Sequence, residues 1–175
     1  DWECRFFKSS YAIRNRLVRG SSLVSWVGRI QERDALPQAA NYLINLDGVD
    51  NDLVFGLRGG NIHLSARSQN PTISLDRVIR EVVGRHGRAG GHVDMAGGII
   101  PVEQSLTRGE DPAGLDEEYV EPIVERFRRF SELEQEMDSA RELLQEPEMR
   151  ELARDELAEA EERRRPGGLY AEYGR

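Results

Sequence analysis

The sequence predicts an α/β (α+β) protein: a small mixed sheet with packed helices, followed by a C-terminal antiparallel helical hairpin. Three observations carry this prediction. Between residues 22 and 102, short apolar or alternating runs exchange with amphipathic segments of helical period. Beyond residue 119 the apolar residues recur at spacings of three and four. Charge divides near the same boundary. Residues 1–102 hold 13 Lys+Arg and 10 Asp+Glu, whereas residues 103–175 hold 11 and 22. The first segment can approach a phosphate-bearing ligand, and the second as a whole would repel one.

The elements follow in order. "SLVSWVG" (22–28) reads as a strand ended by Gly28. "DALPQAANYLINLDG" (34–48) reads as a helix capped by Asp34, with Pro37 in its first turn and Gly48 as its stop. "DLVFGLRG" (52–59) and "NIHLSARS" (61–68) read as two strands joined by a tight turn at Gly59–Gly60. "SLDRVIREVVG" (74–84) is a helix capped by Ser74, with Leu75, Val78, Ile79, Val82 and Val83 as its buried stripe. A glycine-rich loop (87–98) precedes a short strand, "GIIPV". Residues 104–118, rich in proline, glycine and acidic side chains, read as a linker. Residues 119–164 form the hairpin, with Pro147 breaking the helix near its turn. The tail 165–175 is expected to fray.

Composition excludes several classes. The longest apolar runs are a few residues, far short of a membrane span. The start "DWECRFFKSS" lacks the pattern of a signal peptide. A single cysteine, Cys4, excludes an intramolecular disulfide framework and a cysteine zinc cluster. A cytoplasmic location is the expectation. The missing initiator methionine raises the expectation of a fragment or a processed product.

Two stretches carry candidate chemistry. "GRAGGHVDMAGG" (87–98) is five-twelfths glycine around one histidine. Backbone that bare lets N–H groups converge on an anion. His92 could donate to a phosphate oxygen or stack on a base, and Arg88 adds charge beside it. Taken alone, the same pattern describes a tight glycine turn around a satisfied histidine. In "NIHLSARS", Asn61, His63, Ser65 and Arg67 share one strand face, and Ile62, Leu64 and Ala66 share the other. Arg67 could make a forked contact to phosphate. Alone, this too fits an ordinary exposed face. Asp47, Asp50 and Asp52 cluster in "LDGVDND" and read as a turn.

"GNIHLSARS", the helix "ISLDRVIREVVG" and "GRAGGHVDMAGGIIP", in that order, resemble the C-terminal substrate-binding domain of DHH-family phosphoesterases. "VGRIQERDALPQAANYLINLDGVDNDLVFGLRGG" is similar to its first half, so the resemblance covers about residues 10–103. Met95 stands where that family often has alanine, and Arg88–Ala89 stand where many members have more glycine. The resemblance implies a domain, residues 1–103, that holds a short RNA or a nucleotide against a separate catalytic domain. By motif, Arg67 and His92 would contact the nucleotide, with Ser65, Ser68, Gly90 and Gly91 shaping the pocket and Asn61 and Arg88 beside it. It implies manganese only in the catalytic domain, whose DHH triplet this sequence lacks. The chain alone is therefore expected to lack phosphoesterase activity and to need no cofactor. The ligand could be an oligoribonucleotide, a cyclic dinucleotide or phosphoadenosine phosphate.

Residues 121–163 resemble the N-terminal helical region of bacterial class I peptide chain release factors, most closely at "PEMRELARDELAE". The hairpin's apolar stripe needs a covering surface. The first segment, another copy or a protein partner could provide it. The expected partners are thus a short RNA or nucleotide, a DHH catalytic domain, and self-association or a protein through the hairpin, with no membrane. The alternative function is a protein- or ribosome-interaction module carried by that hairpin.

Overall fold

The computed structural model describes residues 16–102 and 117–164. Cys4, most of the expected linker and the expected frayed tail lie outside the described residues. Six strands form one mixed sheet: β1 (Arg16–Arg19), β2 (Ser22–Arg29), β3 (Asn51–Arg58), β4 (Asn61–Ser68), β5 (Arg88–Gly91) and β6 (Met95–Pro101). Their order is β1-β2-β3-β4-β6-β5. β2 and β3 run parallel, joined over the sheet by helix α1 (Ala35–Leu43), and every other neighbouring pair is antiparallel. Helices α2 (Leu75–Val83), α3 (Glu117–Leu143) and α4 (Arg150–Arg164) complete the described chain.

The sheet separates two apolar layers. Leu23 and Val54 pack with Leu36, Ala39, Ala40 and Leu43 of α1. On the other face, Leu53, Phe55, Leu57, Ile62, Leu64 and Ala66 pack under α2 and α3. β3, covered on both faces, is buried along nearly its whole length. The strict alternation of β4 is what the sequence predicts: Ile62, Leu64 and Ala66 go to the core, and Asn61, His63, Ser65 and Arg67 share the opposite face. The β3–β4 turn is at Gly59–Gly60, both with positive φ (57° and 75°), as a two-residue hairpin turn demands.

The hairpin belongs to this core. Val120, Ile123, Phe127, Phe130, Leu133 and Met137 of α3 are buried in the same cluster as the α2 stripe, and Phe127 is fully enclosed. Pro147 lies in the connection between α3 and α4. Polar contacts reinforce the join. Arg126 Nη1 donates to the carbonyl of Val82 at 3.3 Å. Arg164, in the last turn of α4, pairs with Glu81 of α2 at 3.6 Å and with Glu134 of α3 at 3.4 Å. Burial raises the pKa of Glu81 above the usual carboxylate value; Arg164 opposes that shift and Glu134 adds to it. The first segment itself thus covers the hairpin's stripe.

Several local expectations are corrected. The glycine-rich stretch 87–98 is not a loop. It is the β5–β6 hairpin, turning at residues 92–94. Glycine offers no side-chain alternation, so the strand has no period to read. Its glycines serve close packing: a Cβ on Gly98 would sit 2.6 Å from Val83 Cγ2 of α2, and one on Gly87 would collide with the same side chain. Asp34 and Ser74 occupy N-cap positions, yet neither makes a side-chain cap bond. α2 is instead closed by backbone. The N–H groups of Leu75 and Asp76 donate to the carbonyls of Val93 (2.9 Å) and His92 (3.2 Å). α1 stops at Leu43 rather than running to Gly48, because the chain tightens into successive i→i−3 turns through Leu46 and Val49. Asp52 is not a turn residue: it lies within β3 and is completely buried. Among the described residues, no helix is long and apolar enough to cross a membrane.

Candidate functional site

The polar face of β4 opens into a cleft of about 390 Å³ between the start of α1 and the β5–β6 hairpin. β4 contributes His63, Ser65 and Arg67. The approach to α1 contributes Arg33 and Asp34, with Leu36 and Pro37 as an apolar wall. The far wall is Gly90, Gly91, His92 and Met95, closed by Gly97. Three separated segments therefore bring two arginines and two histidines to one concave surface.

Arg67 is the most constrained of these. Its Nε donates to Asn41 Oδ1 of α1 at 2.7 Å. Its Nη1 donates to the carbonyl of Ala66 at 2.8 Å and to Ser65 Oγ at 3.3 Å. All three acceptors are uncharged, so the guanidinium is oriented without being neutralised. Such a group is prepared for an anion, because the cost of ordering it is already met within the fold. Burial lowers the pKa of Arg67, while Asp52 and Asp94 oppose the shift. His63 sits two residues along the same face. Burial, then the positive charges of Arg33 and Arg58, hold its pKa below the ordinary imidazole value, and a backbone bond at Arg58 opposes them.

The β5–β6 turn builds the opposite wall. The N–H of His92 donates to the carbonyl of Met95 at 2.6 Å, and its carbonyl receives the α2 bond described above. The N–H of Ser68 donates to the carbonyl of Asp94 at 2.9 Å, tying the turn to the end of β4. The imidazole of His92 is exposed to the cleft. Gly91 is required by contact: a Cβ there would lie 2.5 Å from Ala96 Cα. A Cβ on Gly90 would meet nothing within 4 Å. Because both glycines are in an extended strand, successive N–H groups point in opposite directions rather than converging. The amides of Leu75, Asp76 and Val78 in α2's first turn are likewise taken up by carbonyls. The cationic character of the cleft therefore comes from side chains.

Of the residues singled out in the sequence, Arg67, His92, Ser65, Gly90 and Gly91 come together here. Ser68, Asn61 and Arg88 do not line the cleft. Ser68 Oγ donates to Asn51 Oδ1 at 2.6 Å and braces the turn after β4. Asn61 Nδ2 donates to the carbonyl of Gly59 at 3.2 Å and closes the β3–β4 turn. Arg88 is an exposed side chain at the start of the edge strand. Sequence reasoning missed Arg33 and Asn41, which reach the site from a loop and a helix about thirty residues before β4. It also missed Asp52, the register partner of Arg67. Among the described residues, no group of three or more His, Cys, Asp or Glu is placed to hold a metal ion, so no metal-dependent step is derived for this chain.

A family model described as the DHHA1 domain matches residues 19–109. An uncharacterized protein of Methanocaldococcus jannaschii is 34% identical over 122 residues, covering 70% of this chain and 23% of its own length. The chain thus spans about a quarter of that relative. Among solved structures, an exopolyphosphatase-related protein from Bacteroides fragilis superposes with a TM-score of 0.55 at 18% identity, covering 77% of this chain and 37% of that one. The C-Ala domain of Aquifex aeolicus alanyl-tRNA synthetase gives a TM-score of 0.46 at 20% identity, covering 64% of this chain and 96% of that one. With the family model spanning more than half of its residues, the chain belongs to the DHHA1 domain family.

Proposed function

We propose that this domain binds the phosphate and base of a short RNA or a nucleotide in the Arg67 cleft, on behalf of a DHH catalytic domain. Manganese, in this reading, is held by that catalytic domain and not by this chain. The observation that carries the reading is the guanidinium of Arg67, fixed by three neutral acceptors and facing a cleft that also holds Arg33, His63 and His92. An arginine held in that way keeps the two N–H groups of Nη2 to donate to phosphate oxygens. Met95, 46% exposed, gives a base an apolar contact on one wall of the cleft, opposite Pro37 on the other. The hairpin's stripe is spent within the core, which disfavours the alternative of a partner or ribosome docked on that stripe.

Titration with the diribonucleotide pApA, followed by backbone amide shifts, tests this. Perturbations are expected at residues 63–67 and 90–97. Shifts confined to the α3–α4 hairpin would overturn the reading. Arg67→Ala is expected to weaken binding by about tenfold or more, the size of a lost charge-assisted hydrogen bond. His92→Ala is expected to weaken it less.

A further inference from the structure

Behind the cleft lies a group that phosphate binding by Arg67 does not directly use. Asp52 pairs with Arg67 across β3 and β4 and is fully buried. Neither of its buried carboxylate oxygens completes a hydrogen bond among the described residues, although the backbone of Arg67 and Ile44 lies near enough to favour the ionised form. The guanidinium beside it is turned to Asn41, Ser65 and the carbonyl of Ala66 instead. Arg67 is the charged group that faces Asp52 from β4. β2 offers its register partner Leu23, and α1 offers the backbone of Ile44 just beyond its end. Asp94, in the 92–94 turn, acts on Arg67 from the other side.

We propose that Asp52 is a positioning residue that sets the charge of the phosphate grip: as the neutral acid it leaves the charge of Arg67 to the ligand, and as the carboxylate it cancels that charge from behind. This inference rests on Arg67 being the phosphate contact. Burial pushes the carboxyl up to about 8, against the pull of the Arg67 guanidinium and the backbone of Arg67 and Ile44. At neutral pH the neutral acid dominates. A bound phosphate adds negative charge and occupies Arg67, the cation that favours ionisation of Asp52 among the described residues. The carboxyl therefore holds its proton more tightly when ligand is present. By linkage, binding near pH 8 takes part of a proton from solvent onto Asp52, about 0.4 for a one-unit rise in its pKa, and affinity falls as pH rises through that value.

The test is calorimetric titration of pApA from pH 7 to 9.5 into the wild type, Asp52→Asn and Arg67→Ala, in two buffers of different ionisation enthalpy. The terminal phosphate, with a second pKa of about 6, is already dianionic through this window. Wild-type affinity is expected to fall about fivefold between pH 7 and 9 if binding raises the Asp52 pKa by one unit. The Asn variant is expected to show a flat profile and no proton uptake. A variant that keeps the wild-type profile overturns the role of Asp52, while leaving the Arg67 reading intact. Wild-type binding by Arg67→Ala, or no pApA binding by the wild type, overturns both. If Asp52→Asn does not fold, the Asp52 carboxyl ¹³C signal of the wild type decides. A midpoint near 8 that rises with pApA supports the proposal, and a midpoint unmoved by pApA overturns it.

Discussion

Asp52 also bears on stability at the scale of a single residue. Its carboxyl titrates at 3.8 in the unfolded chain and at about 8 in the fold. Between those values the native state holds a proton that the unfolded state releases. Stability from this group is complete at or below pH 3.8 and is lost as pH rises to about 8, at about 1.4 kcal/mol per pH unit. Urea unfolding at pH 5 and pH 8 should show the wild type losing stability over that interval, with Asp52→Asn losing markedly less. Asp52 shows where sequence reading stops: in "GVDND" it looks like turn chemistry, and only the register with β4 places it under an arginine. Arg67 was legible because period-two alternation puts it on a polar face. Asn41 and Arg33 were not, because nothing local ties a helix residue or a loop arginine to a strand that far ahead in the chain.

At the scale of elements, the β5–β6 hairpin separates two roles for glycine. Gly98 faces Val83 and Ile79 of α2, where an added methyl would approach 2.6 Å and 3.3 Å. Gly98→Ala is expected to destabilise the fold by about 1–3 kcal/mol, the range for overpacking, as a lower urea midpoint at unchanged slope. Gly90→Ala adds a methyl that meets nothing. Its stability should stay within about 0.5 kcal/mol of the wild type, as for an uncrowded site. Its affinity for pApA should fall, because the methyl stands on the cleft wall. Strand β4 and the stripes of α2 and α3 were readable from periodicity. The glycine hairpin was not, since its strands are specified by what can approach them rather than by what they bury. β1 was unreadable for another reason: it is four residues long and mostly exposed, with no apolar alternation to mark it.

At the scale of the whole molecule, the expected division at residues 104–118 separates the chain in sequence but not in packing. The face of α2 and the sheet that carries Leu53, Phe55 and Val82 is closed by Phe127, Phe130 and Leu133. A chain ending before residue 117 would leave that face to water. It is expected to lose cooperative thermal unfolding and to bind a hydrophobic dye. Phe127→Ala in the full chain should cost about 3–5 kcal/mol, the range for a large buried aromatic, measured by urea unfolding. Among the described residues, most charges of α3 and α4 coat the outside of a hairpin whose inner stripe completes the fold, while Glu134 is buried beside Arg164.

The turn at residues 92–94 is held by three backbone bonds from outside its own hairpin, donated by Ser68, Leu75 and Asp76. Those three amide protons are clocks for the cleft. Solvent can reach them only when the turn lifts away from β4 and α2, so their hydrogen–deuterium exchange should be correlated and governed by one opening equilibrium. If that opening is local, they exchange together and ahead of the amides of β3 beneath them. The rate at which the wall of the site comes apart can then be read in the free protein, before any ligand is found.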